Sequence, residues 1–267
     1  MKIHLSRFVC MDVDSNLDRM DREGELASAS GADLCIFPEG FLNGYRRTLD
    51  PARARERFRA LSGDHPGTAF LFGSITEDRR NRLTFWQGGE EMARYDKVHL
   101  FRPNGEFELW EPGDRYAAVK FQGWTLGLLN CNDLRFPEQA RALRMEARCD
   151  LLVAPAWWPW RRDHVWRALL QARAIENGVF TVGCCIAASE HPLEVFAGAG
   201  NHVFDPFGDP VHTMDDHTYV LDPKRAAGLL VDPLDTYVDI RKLEPDPTRP
   251  RYLLTEPSIG YRLNMDD

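Results

Sequence analysis

The stretch Leu128–Arg141, LLNCNDLRFPEQAR, decides how this 267-residue chain is read. An apolar run, Thr125-Leu126-Gly127-Leu128-Leu129, carries the sequence to a single cysteine, Cys131, where it turns abruptly polar. Pro137 and Glu138 then open a segment with helical spacing. A strand that ends on a cysteine and turns at once into a helix is a way to expose a thiolate nucleophile. Peptide N–H groups at such a turn can face developing negative charge. Free cysteines also serve as small buried hydrophobes. Both readings fit the stretch taken alone, and the rest of the chain must choose between them.

Composition narrows the choice. Net charge is 33 − 41 = −8, which argues against a nucleic-acid or anionic-membrane surface, since both need clustered positive charge. The arginine-dense segments, Arg53 to Arg59 and Arg79 to Arg82, are interrupted by acidic and apolar residues and read as solvated faces. No apolar run is long enough to span a bilayer, and the N-terminus MKIHLSRFVCMDVD alternates like a strand rather than a signal peptide. The six cysteines form no CxxC pair and lie mostly in apolar runs, which fits reduced thiols in a cytoplasmic protein. Vicinal Cys184 and Cys185 read as packing residues. The eight histidines show no paired ligand spacing, so neither a metal nor another cofactor is expected.

Along the chain, short apolar runs alternate with helical spacing. Lys2 to Cys10 predicts a first strand and Asn16 to Ser30 a helix closed by Gly31. Asp33 to Phe37 is a short, nearly all-apolar run of the kind buried on both faces of a sheet. It stops at Pro38, and Glu39 follows. Arg53 to Leu61 reads as a helix, Ala69 to Ile75 as a buried strand, and Leu83–Trp86 with Glu91–Tyr95 as a hairpin across Gly88-Gly89. A second hairpin, Val119 to Asn130, turns near Gly123 and delivers Cys131. Helices are predicted over Glu138–Arg148 and Asp163–Asn177, and strands over Asp150–Ala154, Val179–Ile186, His202–Asp205 and Gly228–Val231. No repeat is visible. Residues 1–267 are read as a single domain, with 240–267 a proline-rich arm packed on the body or on a partner subunit.

Glu39, Lys97 and Cys131 each follow a predicted core strand, and open α/β sheets gather functional groups at the carboxyl ends of their strands. The chemistry gives each a task. A cysteine attacking an uncharged amide or nitrile needs a base to take its proton and return one to the leaving nitrogen. A carboxylate behind Ile36 and Phe37 can have its pKa raised toward that task. A fixed ammonium together with the N–H of Asn132 can stabilise the oxyanion. There is no GxSxG elbow and no P-loop, and a papain-like pairing of Cys131 with His99 or His164 leaves Glu39 and Lys97 unexplained.

The segments FPEGFLNGY, YDKVHLF and CNDLRFPE, in that order, resemble the three signature segments of the nitrilase (carbon–nitrogen hydrolase) superfamily. Two more segments strengthen the likeness, which runs from about Met1 to Ile240. EFELWEPGD places Glu106 where many members carry a second, assisting glutamate. AWWPWRRDHVWRALLQARAIENGVF resembles the family's tryptophan loop and following helix. The resemblance implies an α/β fold, a four-layer α-β-β-α sandwich, that forms a homodimer or higher homo-oligomer. It implies Glu39 as general base, Lys97 as the oxyanion-side lysine, Cys131 as nucleophile and no cofactor.

Substrate is read from what departs from the commonest pattern. Many amidase-like members have an aromatic residue after the cysteine, whereas this chain has Asn132-Asp133. A small linear amide, with an ω-amide of a dicarboxylic acid first, is the expected substrate. N-carbamoyl amino acids come second, nitriles third, and an inactive relative acting as a binding subunit is the reading from a different class. Trp157 and Trp158, with Trp160 near them, are expected to wall the pocket, and Arg162 and Arg102 are candidates to hold a substrate carboxylate as a fork.

Overall fold

In the computed structural model, residues 1–45, 47–189, 196, 200–213, 215, 217–228 and 233 are described, with the backbone of 253–256 and 260–263. In chain order, β1 (Lys2–Leu5) and β2 (Val9–Cys10) lead to α1 (Val13–Ala29), β3 (Leu34–Ile36) and α2 (Pro51–Asp64). Three antiparallel strands follow, β4 (Ala69–Glu77), β5 (Arg80–Gln87) and β6 (Glu90–Asp96), then the one-turn α3 (Glu106–Leu109). The hairpin β7 (Ala117–Phe121) and β8 (Trp124–Leu128) runs into a 3₁₀ turn at Cys131–Arg135 and α4 (Pro137–Ala147). Next come β9 (Leu151–Ala156), α5 (Asp163–Asn177), β10 (Phe180–Cys185), β11 (Ala188–Ser189), β12 (His202–Phe204) and β13 (Thr218–Val220). A second compact unit, Val231–Asp267, contains the hairpin β14 (Leu253–Glu256) and β15 (Gly260–Leu263). Of the strand expected at Gly228–Val231, Gly228 closes a 3₁₀ turn and the remainder lies outside the described residues.

Two sheets carry the fold. One runs β13-β1-β3-β4-β5-β6 and the other β12-β10-β9-β8-β7. At the centre of each, neighbouring strands are parallel: β1, β3 and β4 in the first, β8, β9 and β10 in the second. Side chains alternate across a strand, so each strand has two faces to bury. Leu34 and Ile36 of the first sheet share one buried cluster with Leu128, Leu151, Val153 and Val182 of the second, which places the sheets face to face. Cys35, Phe70 and Phe72 turn the other way, among Leu17, Met20 and Phe58 of α1 and α2. Leu152 and Ala154 likewise turn toward Leu143, Trp166 and Leu170 of α4 and α5. Helix, sheet, sheet, helix is therefore the order of the layers, as the runs buried on both faces required.

The sequence-based elements hold with instructive exceptions. Lys2 to Cys10 is not one strand: β1 pairs with β3, whereas β2 leaves that sheet to pair with β11. Phe8 lies between them, fully buried in the helix-side core, and its carbonyl accepts from the Ala187 N–H at 2.8 Å. The hairpin joining β4 to β5 turns on Asp78 and Arg79, both with positive φ, at a place where no glycine marks a turn.

At Gly73, β4 passes so close to the preceding loop that a Cβ built there would overlap the Pro38 carbonyl. The β4–β5 register shifts between Phe72 and Ile75 at the same place. Glu39 is the next residue after Pro38, so this missing side chain sets where that carboxylate sits. Gly73→Ala should cost about 3 kcal/mol or more, because the obstacle is backbone rather than a flexible side chain. It should also lower turnover, both read by denaturant unfolding and a steady-state assay. Wild-type stability with wild-type turnover would contradict this account of the loop.

Candidate active site

Glu39 follows β3 and Trp157 follows β9, so the carboxyl ends of the two sheets meet where the Trp157 N–H donates to Glu39 Oε2 at 3.1 Å. Glu39 has no exposed surface. Its Oε1 accepts from Lys97 Nζ at 2.8 Å and from Asn81 Nδ2 at 3.0 Å, and its Oε2 also accepts from the Tyr45 hydroxyl at 2.9 Å. Lys97, equally buried, reaches Glu106 at 3.0 Å and 2.9 Å from its two carboxylate oxygens. Glu106 is itself braced by the Phe101 N–H at 2.7 Å, whereas Glu108 and Glu111 lie exposed. Burial thus distinguishes Glu106 from its acidic neighbours, a distinction their spacing could not make.

Cys131 opens the 3₁₀ turn after β8 with φ +50°, a left-handed conformation that costs a non-glycine residue energy and persists only when its surroundings hold it. Asp133 does the holding. Its Oδ2 accepts from the Asn130 N–H at 2.8 Å and the Tyr95 hydroxyl at 2.7 Å, and its Oδ1 from the His99 N–H at 2.9 Å. One fully buried carboxylate therefore ties the cysteine turn to the end of β6 and to the segment that carries Lys97. From the far side, Arg173 of α5 donates to the Leu134 carbonyl at 3.1 Å.

The charges sort themselves by environment. Burial alone would push Glu39 up, as the sequence suggested. The Lys97 ammonium, with hydrogen bonds from Lys97, Cys131 and Tyr45, outweighs it and leaves Glu39 below the ordinary carboxylate value. The raised carboxylate is Glu106, pushed up to about 7 by burial and by the Glu39 charge against the opposing pull of Lys97. Burial would lower Lys97, yet its two carboxylates hold it charged. Burial and the Glu39 charge push the Cys131 thiol well up, with Lys97 opposing. The resting site is thus a thiol beside an ionised Glu39 and an ammonium.

A narrow pocket opens on Cys131, lined among others by Tyr45, Asn132, Arg135, Trp157, Trp158 and Arg162. Trp157 stands edge-on to Tyr45, and Trp158 Nε1 donates to the Arg162 carbonyl at 2.8 Å, so the tryptophan loop braces itself. Trp160 is half exposed and lies outside this lining. So does Arg102, exposed with its guanidinium over Phe107 at 4.6 Å. The Asn132 side chain is held by the His99 carbonyl, to which its Nδ2 donates at 3.1 Å. Sequence reasoning passed over Tyr45, Asn81, Asp133 and Arg135. Tyr45, Asp133 and Arg135 stand within the quoted segments, but Asn81 lies in a hairpin with no signal of its own.

Because Glu106 is raised from 4.5 to about 7, the folded chain keeps a proton there that the unfolded chain releases at lower pH. The stability this contributes is whole below about 4.5 and is lost as pH rises through about 7. Glu106→Gln mimics the protonated form and should gain stability relative to wild type as pH rises from about 5 to about 8. Thermal melting of both proteins across that range checks it, and a difference independent of pH would contradict the assignment.

Comparison with known proteins places the chain in a family. The profile of the carbon–nitrogen hydrolase family matches residues 2–221. An omega-amidase of Escherichia coli, YafV, is 32% identical over 223 residues, covering 78% of this chain and 82% of the relative. A 2-oxoglutaramate amidase of Paenarthrobacter nicotinovorans is 33% identical, covering 76% of each. Among solved structures, a variant of the amidase from Nesterenkonia sp. AN1 superposes with a TM-score of 0.73 at 26% identity, covering 85% of this chain and 92% of that one. That variant carries the acetamide moiety of fluoroacetamide covalently added at its active-site cysteine. By the family match, the identity to its amidases and the fold it shares with them, this chain belongs to the carbon–nitrogen hydrolase family and hydrolyses carbon–nitrogen bonds other than peptide bonds.

Proposed function

We propose that the chain is an ω-amidase, a thiol hydrolase that takes a small linear amide bearing a carboxylate at its far end and releases ammonia and the acid. One observation carries the carboxylate. Arg135 and Arg162 both line the Cys131 pocket, and among the described residues neither has a carboxylate partner. Each guanidinium lies over an aromatic ring instead, Arg135 over Trp158 at 4.6 Å and Arg162 over Phe101 at 5.6 Å. Burial lowers the Arg135 pKa and the Arg162 charge adds to the effect, so the pair is poised to accept a shared anion. The E. coli and P. nicotinovorans relatives are amidases whose names point the same way.

The chemistry runs through Cys131, Glu39 and Lys97. Glu39 takes the thiol proton as sulfur attacks the amide carbon, and the oxyanion forms against Lys97 and the Asn132 N–H. The intermediate collapses as Glu39 gives its proton to the departing nitrogen, leaving a thioester and ammonia. Ionised again, Glu39 takes a proton from water, whose oxygen attacks the thioester carbonyl. The acid leaves, and the thiolate recovers that proton. Glu106 keeps Lys97 in place, and Tyr45 and the Trp157 N–H aim the second oxygen of Glu39. We also read the protein as a cytoplasmic homo-oligomer, a setting suited to its six free, buried thiols. Among the described residues no helix is long and apolar enough to cross a membrane.

Ammonia release across linear amides with and without a distal carboxylate, N-carbamoyl amino acids and nitriles tests the assignment. Carboxylate-bearing linear amides should turn over best. Arg162→Ala should raise KM for them by about 10- to 100-fold, the worth of one charge-assisted contact, while changing neutral amides little. Equal use of neutral amides would contradict the reading. Carbon dioxide released with ammonia would replace it by carbamoyl hydrolysis, and inactivity on the whole panel would favour a binding subunit.

A further inference from the structure

Outside the cysteine pocket, the first strand, the first helix and the turn before β13 bring together three side chains that the hydrolase chemistry does not use. His4 on β1 is 4% exposed, and its Nε2 lies 3.4 Å from Glu23 Oε2 on α1. His217 is placed beside it by the pairing of His4 with Thr218, and the two imidazoles lie parallel, their centroids 5.1 Å apart and their planes 5° from one another. One ligand atom from each of His4, Glu23 and His217 falls within 4.8 Å of the others.

We propose that His4, Glu23 and His217 form a binding site for a divalent transition-metal ion of the zinc type. Two imidazoles and a carboxylate are a donor set that zinc accepts, with water completing the tetrahedron. The tautomer of His217 is suited to the role. Its Nδ1 lies 3.3 Å from the Leu5 carbonyl, which can only accept, so Nδ1 carries the proton and Nε2 keeps its lone pair for an ion. A backbone carbonyl behind a ligating histidine is a common way to fix such a ring. A tetrahedral ion about 2.0–2.1 Å from each donor holds them about 3.3 Å apart, so the three side chains, whose ligand atoms lie within 4.8 Å of one another, draw together on binding.

The charge is also suited. Glu23, mostly buried on α1, supplies a carboxylate oxygen, a donor that a divalent cation accepts beside two imidazoles. Cys35 stands opposite His4 on β3, but the group of ligand atoms that lie within 4.8 Å of one another does not include it. The three ligands come from β1, α1 and the chain just before the edge strand β13, so a bound ion cross-links the sheet edge to the helix and adds stability rather than chemistry. His4 and His217 are far apart in sequence, which is why no ligand spacing is visible in the chain.

Chelator-treated full-length protein, titrated with zinc alone by calorimetry, is the test. One zinc per chain should bind, and His217→Ala and Glu23→Gln should each weaken it at least about tenfold, the loss usual when a metal site is disturbed. Zinc should raise the melting temperature of wild type and of neither variant, with amide turnover the same in all three. Cobalt(II) in place of zinc should show tetrahedral bands without sulfur charge transfer. No heat of binding, unchanged affinity in both variants, or a sulfur band would each overturn the site, the first leaving His4 and Glu23 as a simple hydrogen-bonded pair.

Discussion

Lys97 is a lysine with no exposed surface, and the site is arranged around the two carboxylates that allow it to stay charged. Removing an ammonium from water costs several kcal/mol, and such a group stays ionised only against close opposite charge. Lys97 has Glu39 on one side and Glu106 on the other, which leaves the buried cluster one negative charge in excess. That excess divides the labour. Glu39, with the Lys97 contact and three further donors, keeps the ionised form, while Glu106 is pushed up to about 7. Burial and the Glu39 charge likewise push the Cys131 thiol well up, with Lys97 opposing. In the mechanism proposed above, the nucleophile is therefore not a standing thiolate. It is formed at the moment of attack by proton transfer to a base already in position.

This cluster cannot be assembled by one sheet. Glu39 comes from the end of β3, Asn81 from β5, Lys97 from just past β6, and the Trp157 N–H from the end of β9 in the other sheet. Packing the two sheets face to face brings those ends together, and Gly73 lets β4 pass under Pro38 closely enough to set the carboxylate. On the cysteine side Asp133 joins the turn to Tyr95 and His99, so the left-handed backbone at Cys131 is held by the strand that leads to Lys97. Glu39, Lys97 and Cys131 are coupled through backbone as well as through charge, which suits the proposed mechanism, in which the geometry is kept while a proton changes hands.

How much of this was legible depended on whether a residue's role was local. The runs at Asp33–Phe37 and Asp150–Ala154 announced strands buried on both faces because they are apolar nearly throughout rather than alternating. Glu39, Lys97 and Cys131 stood out because each places a reactive group just after a predicted strand. Roles set across the fold were harder to read. Asn81 braces Glu39 from a neighbouring strand, and nothing in its own hairpin says so. Arg102 and Arg162 looked equivalent as carboxylate forks, yet the Phe101–Asn104 turn sends Arg102 over Phe107 while the tryptophan loop leaves Arg162 at the pocket. The pKa order of Glu39 and Glu106 followed from burial, from the Lys97 and Glu39 charges and from the hydrogen bonds each carboxylate accepts, all of which only the folded chain supplies.

The most direct test of the account is to catch the thioester. A linear ω-amide incubated with the protein, quenched rapidly and digested, should leave its acyl group on the peptide that contains Cys131. Intact-mass measurement should show the gain of the acyl group with the loss of ammonia, and Cys131→Ala should show neither adduct nor turnover while melting as wild type does. An acyl group found on any other cysteine, or continued turnover in Cys131→Ala, would contradict a mechanism built on Glu39, Lys97 and Cys131.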